Sequence, residues 1–143
     1  EDVEDSGRFV TLFFLVVDIA AKALIWVRAG HDPAIVYDPS MDAFDELKGQ
    51  GVPLGFDESI EYDSFRHPID SGQIIVIGTD GIWETHNKTG EMFGKEALLE
   101  IIRNNYTASA RQIVDTVTEA LEQFRGDEAP EDDITLVVIK VDR

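Results

Sequence analysis

Nearly all the strand-like segments of this chain precede its helical ones, and a single strand-like segment closes it. Residues 9–17 (FVTLFFLVV), 23–28 (ALIWVR), 34–37 (AIVY) and 73–77 (QIIVI) are short, apolar and rich in β-branched residues. Such residues fit a pleated, half-buried surface. The stretch Phe44–Leu47 is a weaker candidate as partner of 34–37, and Ile60–His67 as an edge strand. Helical spacing then appears over 94–103 and again from Ser109 onward, before 134–141 (ITLVVIKV) returns to strand. A doubly wound parallel sheet would alternate strand and helix throughout. The order here predicts an α+β fold with antiparallel strands and helices grouped on a face.

Local signals fix several joints. Asp18–Lys22 separates two strands closely enough for a hairpin. Residues 9–17 lack polar alternation, which places that strand at the centre of a sheet with both faces covered. Gly49, Gly51, Pro53 and Gly55 mark an irregular loop, and 68–72 a turn. Ser109 followed by Gln112 has the spacing of a capping box, and Ile113, Val114, Val117, Ala120, Leu121 and Phe124 form one apolar stripe that needs a flat partner. Glu1–Arg8 is polar and acidic and is expected to be a linker or cut loop. The rest of 1–143 is expected to form one domain.

Composition narrows the partners. The chain carries 29 Asp and Glu against 12 Lys and Arg, a formal net charge of −17. Such a surface repels phosphate backbones and anionic headgroups at long range, so neither nucleic acid nor a membrane surface is expected as partner. With no cysteine, a disulfide framework, a thiolate metal site and a Cys nucleophile are excluded, and the cytoplasm is the expected compartment. The apolar run 9–17 is too short to span a bilayer and no basic segment precedes it.

Two places carry potential chemistry. Asp80 ends a buried strand and is followed by Gly81, so its carboxylate projects from a rigid edge where the backbone can turn or approach a ligand. Asp132 and Asp133 stand at the mouth of another apolar strand. If the two strands are neighbours, three carboxylates converge and repel one another unless cations compensate. Oxygen ligands without Cys select Mg²⁺ or Mn²⁺ over zinc, and such ions can activate water and clamp a phosphoryl group. Taken singly, an Asp-Gly after a strand is a turn signal and an acidic strand entry is a solvated loop.

The wording of successive segments says more. Phe9-Val10-Thr11-Leu12-Phe13, Ala29-Gly30-His31-Asp32-Pro33, Gly51-Val52-Pro53-Leu54-Gly55, Thr79-Asp80-Gly81-Ile82-Trp83-Glu84, Phe93-Gly94 and Asp132-Asp133-Ile134-Thr135-Leu136-Val137 resemble, in order, the blocks of the SpoIIE-type phosphatases. These are bacterial members of the metal-dependent (type 2C) serine/threonine protein phosphatases. The resemblance, from about Phe9 to Val141, implies an α-β-β-α sandwich of antiparallel sheets with helices outside. It implies metal ligation by Asp80 and Asp132, supported by Gly81 and Asp133, of two divalent cations, Mn or Mg. The implied reaction is attack of metal-bound water on a phosphoserine or phosphothreonine. The implied partner is a phosphorylated regulatory protein of the anti-sigma-factor antagonist type, in a partner-switching pathway, with a sensory domain upstream in the parent chain.

Two departures qualify the resemblance. The family's bridging aspartate-glycine motif lies upstream of the first block and has no match before Phe9, so the chain is expected to lack the N-terminal part of the domain and to be inactive alone. Asp32 stands where the family block usually has asparagine. His31 is expected to hold a turn by bonding backbone, Trp26 and Trp83 to pack in or beside the core, and His67 and His86 to lie at the surface or in loops. A haloacid-dehalogenase-like site would need a nucleophilic Asp where Gly78 stands. A receiver domain would need alternating strands and helices. The remaining alternative is a non-catalytic, phosphatase-derived module that binds a partner protein.

Overall fold

The computed structural model of the chain describes residues 9–142; the expected linker Glu1–Arg8 lies outside them. The described residues divide into two compact units, 9–34 with 46–70 and 35–45 with 71–142.

In the first unit, β1 (Leu12–Asp18), β2 (Ala23–Ala29) and β5 (Phe65–Pro68) form an antiparallel sheet in the order β1-β2-β5. The expected hairpin joins β1 to β2, with Asp18 opposite Ala23. Its turn is closed by the Asp18 carboxylate, which accepts from the Ala21 N–H at 2.8 Å. Only the end of the 60–67 segment becomes strand, and as expected it lies at a sheet edge. Trp26 is buried, stacks on Phe65 with ring centroids 5.7 Å apart, and donates its indole N–H to the Lys48 carbonyl at 2.8 Å. This satisfies the one polar atom that burying a tryptophan strands.

One expectation fails in this unit. β1 is an edge strand, and Leu12, Phe14 and Val16 are 40%, 56% and 41% exposed. An unbroken apolar run reports that a strand suits apolar surroundings on both faces; it carries no information about which neighbours supply them.

The second unit holds most of β3 (Ala34–Asp38) and β4 (Ala43–Leu47) with β6 (Ile74–Gly78), β7 (Leu136–Lys140), α1 (Lys95–Asn104) and α2 (Ala110–Arg125); the strand order is β4-β3-β6-β7. Side chains alternate across β3 and β6, so Tyr37, Ile74 and Val76 reach one face. There they join Leu98 and Ile102 of α1 and Ile113, Val117 and Leu121 of α2 in one buried cluster. Val36 and Ile75, on the opposite face, are also buried, so these strands read as continuous apolar runs. The stripe foreseen in α2 is therefore the face that packs on the sheet. The capping box at Ser109 is present: its hydroxyl accepts from the Gln112 N–H, and the Gln112 side chain accepts from the Ser109 N–H at 2.9 Å.

Candidate functional site

β6 and β7 are antiparallel neighbours in a register that sets Gly78 opposite Leu136. The exit of one strand thus meets the entrance of the other, although nearly sixty residues separate them in sequence. Beyond the ladder the pairing continues through Thr79. Its N–H donates to the Thr135 carbonyl at 3.1 Å, its hydroxyl donates to the Asp133 carbonyl at 3.0 Å, and the same hydroxyl accepts from the Thr135 N–H at 3.0 Å. One side chain therefore ties the Asp80 turn to the Asp132-Asp133 entry.

Gly81 makes the approach possible. A Cβ at this position would stand 2.6 Å from the Asp133 carbonyl oxygen, a distance that no side chain tolerates. At Gly78 the near atom is instead the end of a side chain, Ile82 Cδ1, which would be 2.7 Å away. Behind them the chain coils into a tight turn, with Glu84 N–H donating to the Asp80 carbonyl at 2.9 Å and the buried Thr85 hydroxyl to the Gly81 carbonyl at 2.6 Å. Ile82 is fully buried in the core cluster, and Trp83 packs at its border under Lys95, whose ammonium lies 4.4 Å from the ring centroid. The turn that presents Asp80 is thereby anchored in the core.

The carboxylates themselves are exposed. Asp80 accepts from the Gly81 N–H at 3.0 Å, and Asp132 from the Asp133 N–H at 2.7 Å. A small cleft of about 70 Å³ beside them is lined by Gly81, Glu84, Thr85, His86, Glu131 and Asp132, among others. His86 contacts Glu131 at 3.0 Å. Among the described residues no three His, Asp or Glu side chains gather as a metal-holding group. The two strand ends therefore meet as expected, but the expected convergence of three carboxylates does not occur. Like charges repel, and each of the two aspartates has a nearby N–H to bond instead.

Thr79 is the residue whose role sequence reasoning missed, since its hydroxyl serves a partner more than fifty residues away. Of the histidines, His31 places Nδ1 2.8 Å from the Asp32 carbonyl and Arg28 donates to the His31 carbonyl, the backbone role expected of this turn. His67 lies half-buried in β5 and His86 in a loop.

Residues 1–142 match the sequence model of the family described as Stage II sporulation protein E (SpoIIE). The chain belongs to the SpoIIE family. Among curated relatives, this SpoIIE-family chain is 26% identical to phosphoserine phosphatase RsbU of Bacillus subtilis over 95% of its own length and 40% of that protein. It is 31% identical to protein IcfG of Synechocystis over 94% of its length and 21% of that protein. The chain thus spans less than half the length of these relatives. Among solved structures, the SiaA-PP2C domain of Pseudomonas aeruginosa superposes with a TM-score of 0.77 at 21% identity, over 90% of this chain and 50% of that one. The Mn-presoaked phosphatase domain of SpoIIE from Bacillus subtilis gives 0.69 at 19% identity, over 92% and 56%. The α+β fold of the SpoIIE-family chain, two antiparallel sheets with two helices, is the fold of those domains.

Proposed function

We propose that the protein is a metal-dependent phosphoprotein phosphatase whose hydrolytic site stands at the β6–β7 junction. The observation that carries the reading is the pairing of Thr79 with Asp133 and Thr135, which holds Asp80 and Asp132 at one end of one sheet. Family membership and the name phosphoserine phosphatase borne by RsbU support it.

The residues present fit the cations such an enzyme uses. Donors at the junction are oxygens and the chain has no cysteine; these properties suit Mg²⁺ or Mn²⁺. Asp80 and Asp132 would hold the ions, with Gly81 and Asp133 in support. When bound, divalent ions polarise phosphoryl oxygens and lower the pKa of water. The part played by the protein is positional: Thr79 fixes the distance between strand ends and the core residue Ile82 keeps the Asp80 turn from shifting. The substrate in this reading is a phosphoserine or phosphothreonine on a regulatory protein of a partner-switching pathway in the cytoplasm.

The test is hydrolysis of a phosphoserine peptide with Mn²⁺ by the parent protein, which would supply the upstream bridging motif, and by its Asp80→Asn and Asp132→Asn variants. Each change should cost at least the roughly 10- to 100-fold that residues one shell further out typically do, with unchanged thermal unfolding in chelator. Undiminished turnover in both variants would remove the assignment. A second reading, a module that binds a partner without catalysis, is favoured by the lack of a three-ligand group among the described residues. Calorimetric titration with Mn²⁺ separates the two, because the module has no need to bind the ion.

A further inference from the structure

A larger cavity adjoins the site. It measures about 380 Å³ and is bounded by the hairpin turn that follows the Asp80 segment, by the end of α2 and by the acidic loop before β7; Thr85, His86, Lys88, Arg125, Glu128 and Glu131 are on its wall. It shares Thr85, His86 and Glu131 with the small cleft that reaches Gly81 and Asp132. A chain segment lying with one residue at the Asp80–Asp132 end would therefore lay its neighbours along this cavity.

The cavity sets two basic side chains, Lys88 and Arg125, beside two acidic ones, Glu128 and Glu131, in a chain whose formal charge is −17. The Nε of Arg125 is buried and has no hydrogen-bond partner, although Glu128 and Glu131 line the same space. Glu131 contacts His86 instead, at 3.0 Å, and Glu128 is exposed. As a base in the last turn of α2, Arg125 favours the negative end of the helix dipole. That role leaves the Nε donor unfilled, and a desolvated donor without an acceptor costs free energy that a small shift of the guanidinium toward an incoming oxyanion would offset. The turn 87–91 is held in shape from within: the Asn87 side chain accepts from the N–H groups of Thr89 and Glu91, each at 3.0 Å. Lys88 is thus presented from a fixed loop.

We propose that this cavity is a specificity subsite that receives an acidic side chain of the phosphoprotein substrate, flanking the phosphorylated residue, with Arg125 as its principal recognition residue and Lys88 as its second. The proposal rests on the phosphatase reading for the identity of the substrate, but its binding step can be measured without turnover.

The probes are two fluorescent phosphoserine peptides, one with glutamates and one with glutamines beside the phosphoserine, titrated by anisotropy into the metal-free protein. The glutamate peptide should bind more tightly, and Arg125→Gln should weaken it by about tenfold, the value of one charge-assisted hydrogen bond, while leaving the glutamine peptide unchanged. Arg125→Lys keeps the helix-terminal charge and removes the planar fork; it too should lose most of the preference, and circular dichroism verifies that both variants fold. In the parent protein with Mn²⁺, hydrolysis of p-nitrophenyl phosphate should be unaffected by Arg125→Gln, while KM for the glutamate peptide rises and kcat holds. Equal binding of the two peptides, or full preference retained in both variants, would overturn the subsite. Absence of p-nitrophenyl phosphate hydrolysis in the unsubstituted parent protein, with the peptide preference intact, would count against the phosphatase reading alone.

Discussion

The hydroxyl of Thr79 donates to the carbonyl oxygen of Asp133 at 3.0 Å. Through this bond and its reciprocal contact with the Thr135 N–H, a side chain continues a β-ladder past the last paired residues. Thr79→Val keeps the shape and removes both bonds, handing an exposed acceptor and donor to water. The expected loss is about 1 kcal/mol in urea unfolding, together with weaker Mn²⁺ binding; Thr79→Ser should restore most of both. Wild-type stability in Thr79→Val would show that the ladder alone aligns the strands.

Gly81 offers a sharper steric test. Alanine there would set a methyl carbon 2.6 Å from the Asp133 carbonyl oxygen, a backbone atom that cannot swing aside. Gly81→Ala should lower stability by about 1–3 kcal/mol, the usual range for overpacking, and push the strand entry outward. Gly51→Ala, with nothing within 4 Å of the new carbon, serves as the control and should be neutral or slightly stabilising. Equal unfolding midpoints for the two variants would refute the close-approach argument.

Removal of the capping hydroxyl of α2 tests the packing of the helix layer. Ser109→Ala strips one half of the capping box and should cost about 1 kcal/mol, whereas Ser109→Gly should cost only a few tenths. Chemical denaturation of the two variants gives the comparison. A cost for alanine no larger than for glycine would mean that packing of Ile113, Val117 and Leu121 carries the helix start as well.

Acid should expose the contribution of Asp38. The hydroxyl of Ser40 and the side-chain amide of Gln73 donate to its carboxylate at 2.6 and 2.9 Å and hold its pKa below the ordinary 3.8. A depressed folded-state pKa stabilises the protein above the unfolded value, and the gain disappears as pH falls through the folded value. Asp38→Asn should therefore be less stable than the wild type at neutral pH, with the gap narrowing once pH drops below 3.8. Urea unfolding across that range supplies the measurement, and a gap independent of pH would remove the linkage.

Sequence alone determined what depends on neighbours along the chain. The turn at Asp18–Lys22, the capping box at Ser109, the apolar stripe of α2 and the succession of strands before helices all follow from residues a few positions apart, because backbone preference and side-chain periodicity act at that range. Tertiary structure decided what depends on distant partners. It set β6 beside β7, gave Thr79 its acceptor at Asp133, left the face of β1 at Leu12, Phe14 and Val16 exposed, and turned Asp80 and Asp132 toward adjacent N–H groups. No local pattern encodes these outcomes, since each is fixed by packing and charge between segments that meet only when the sheets form.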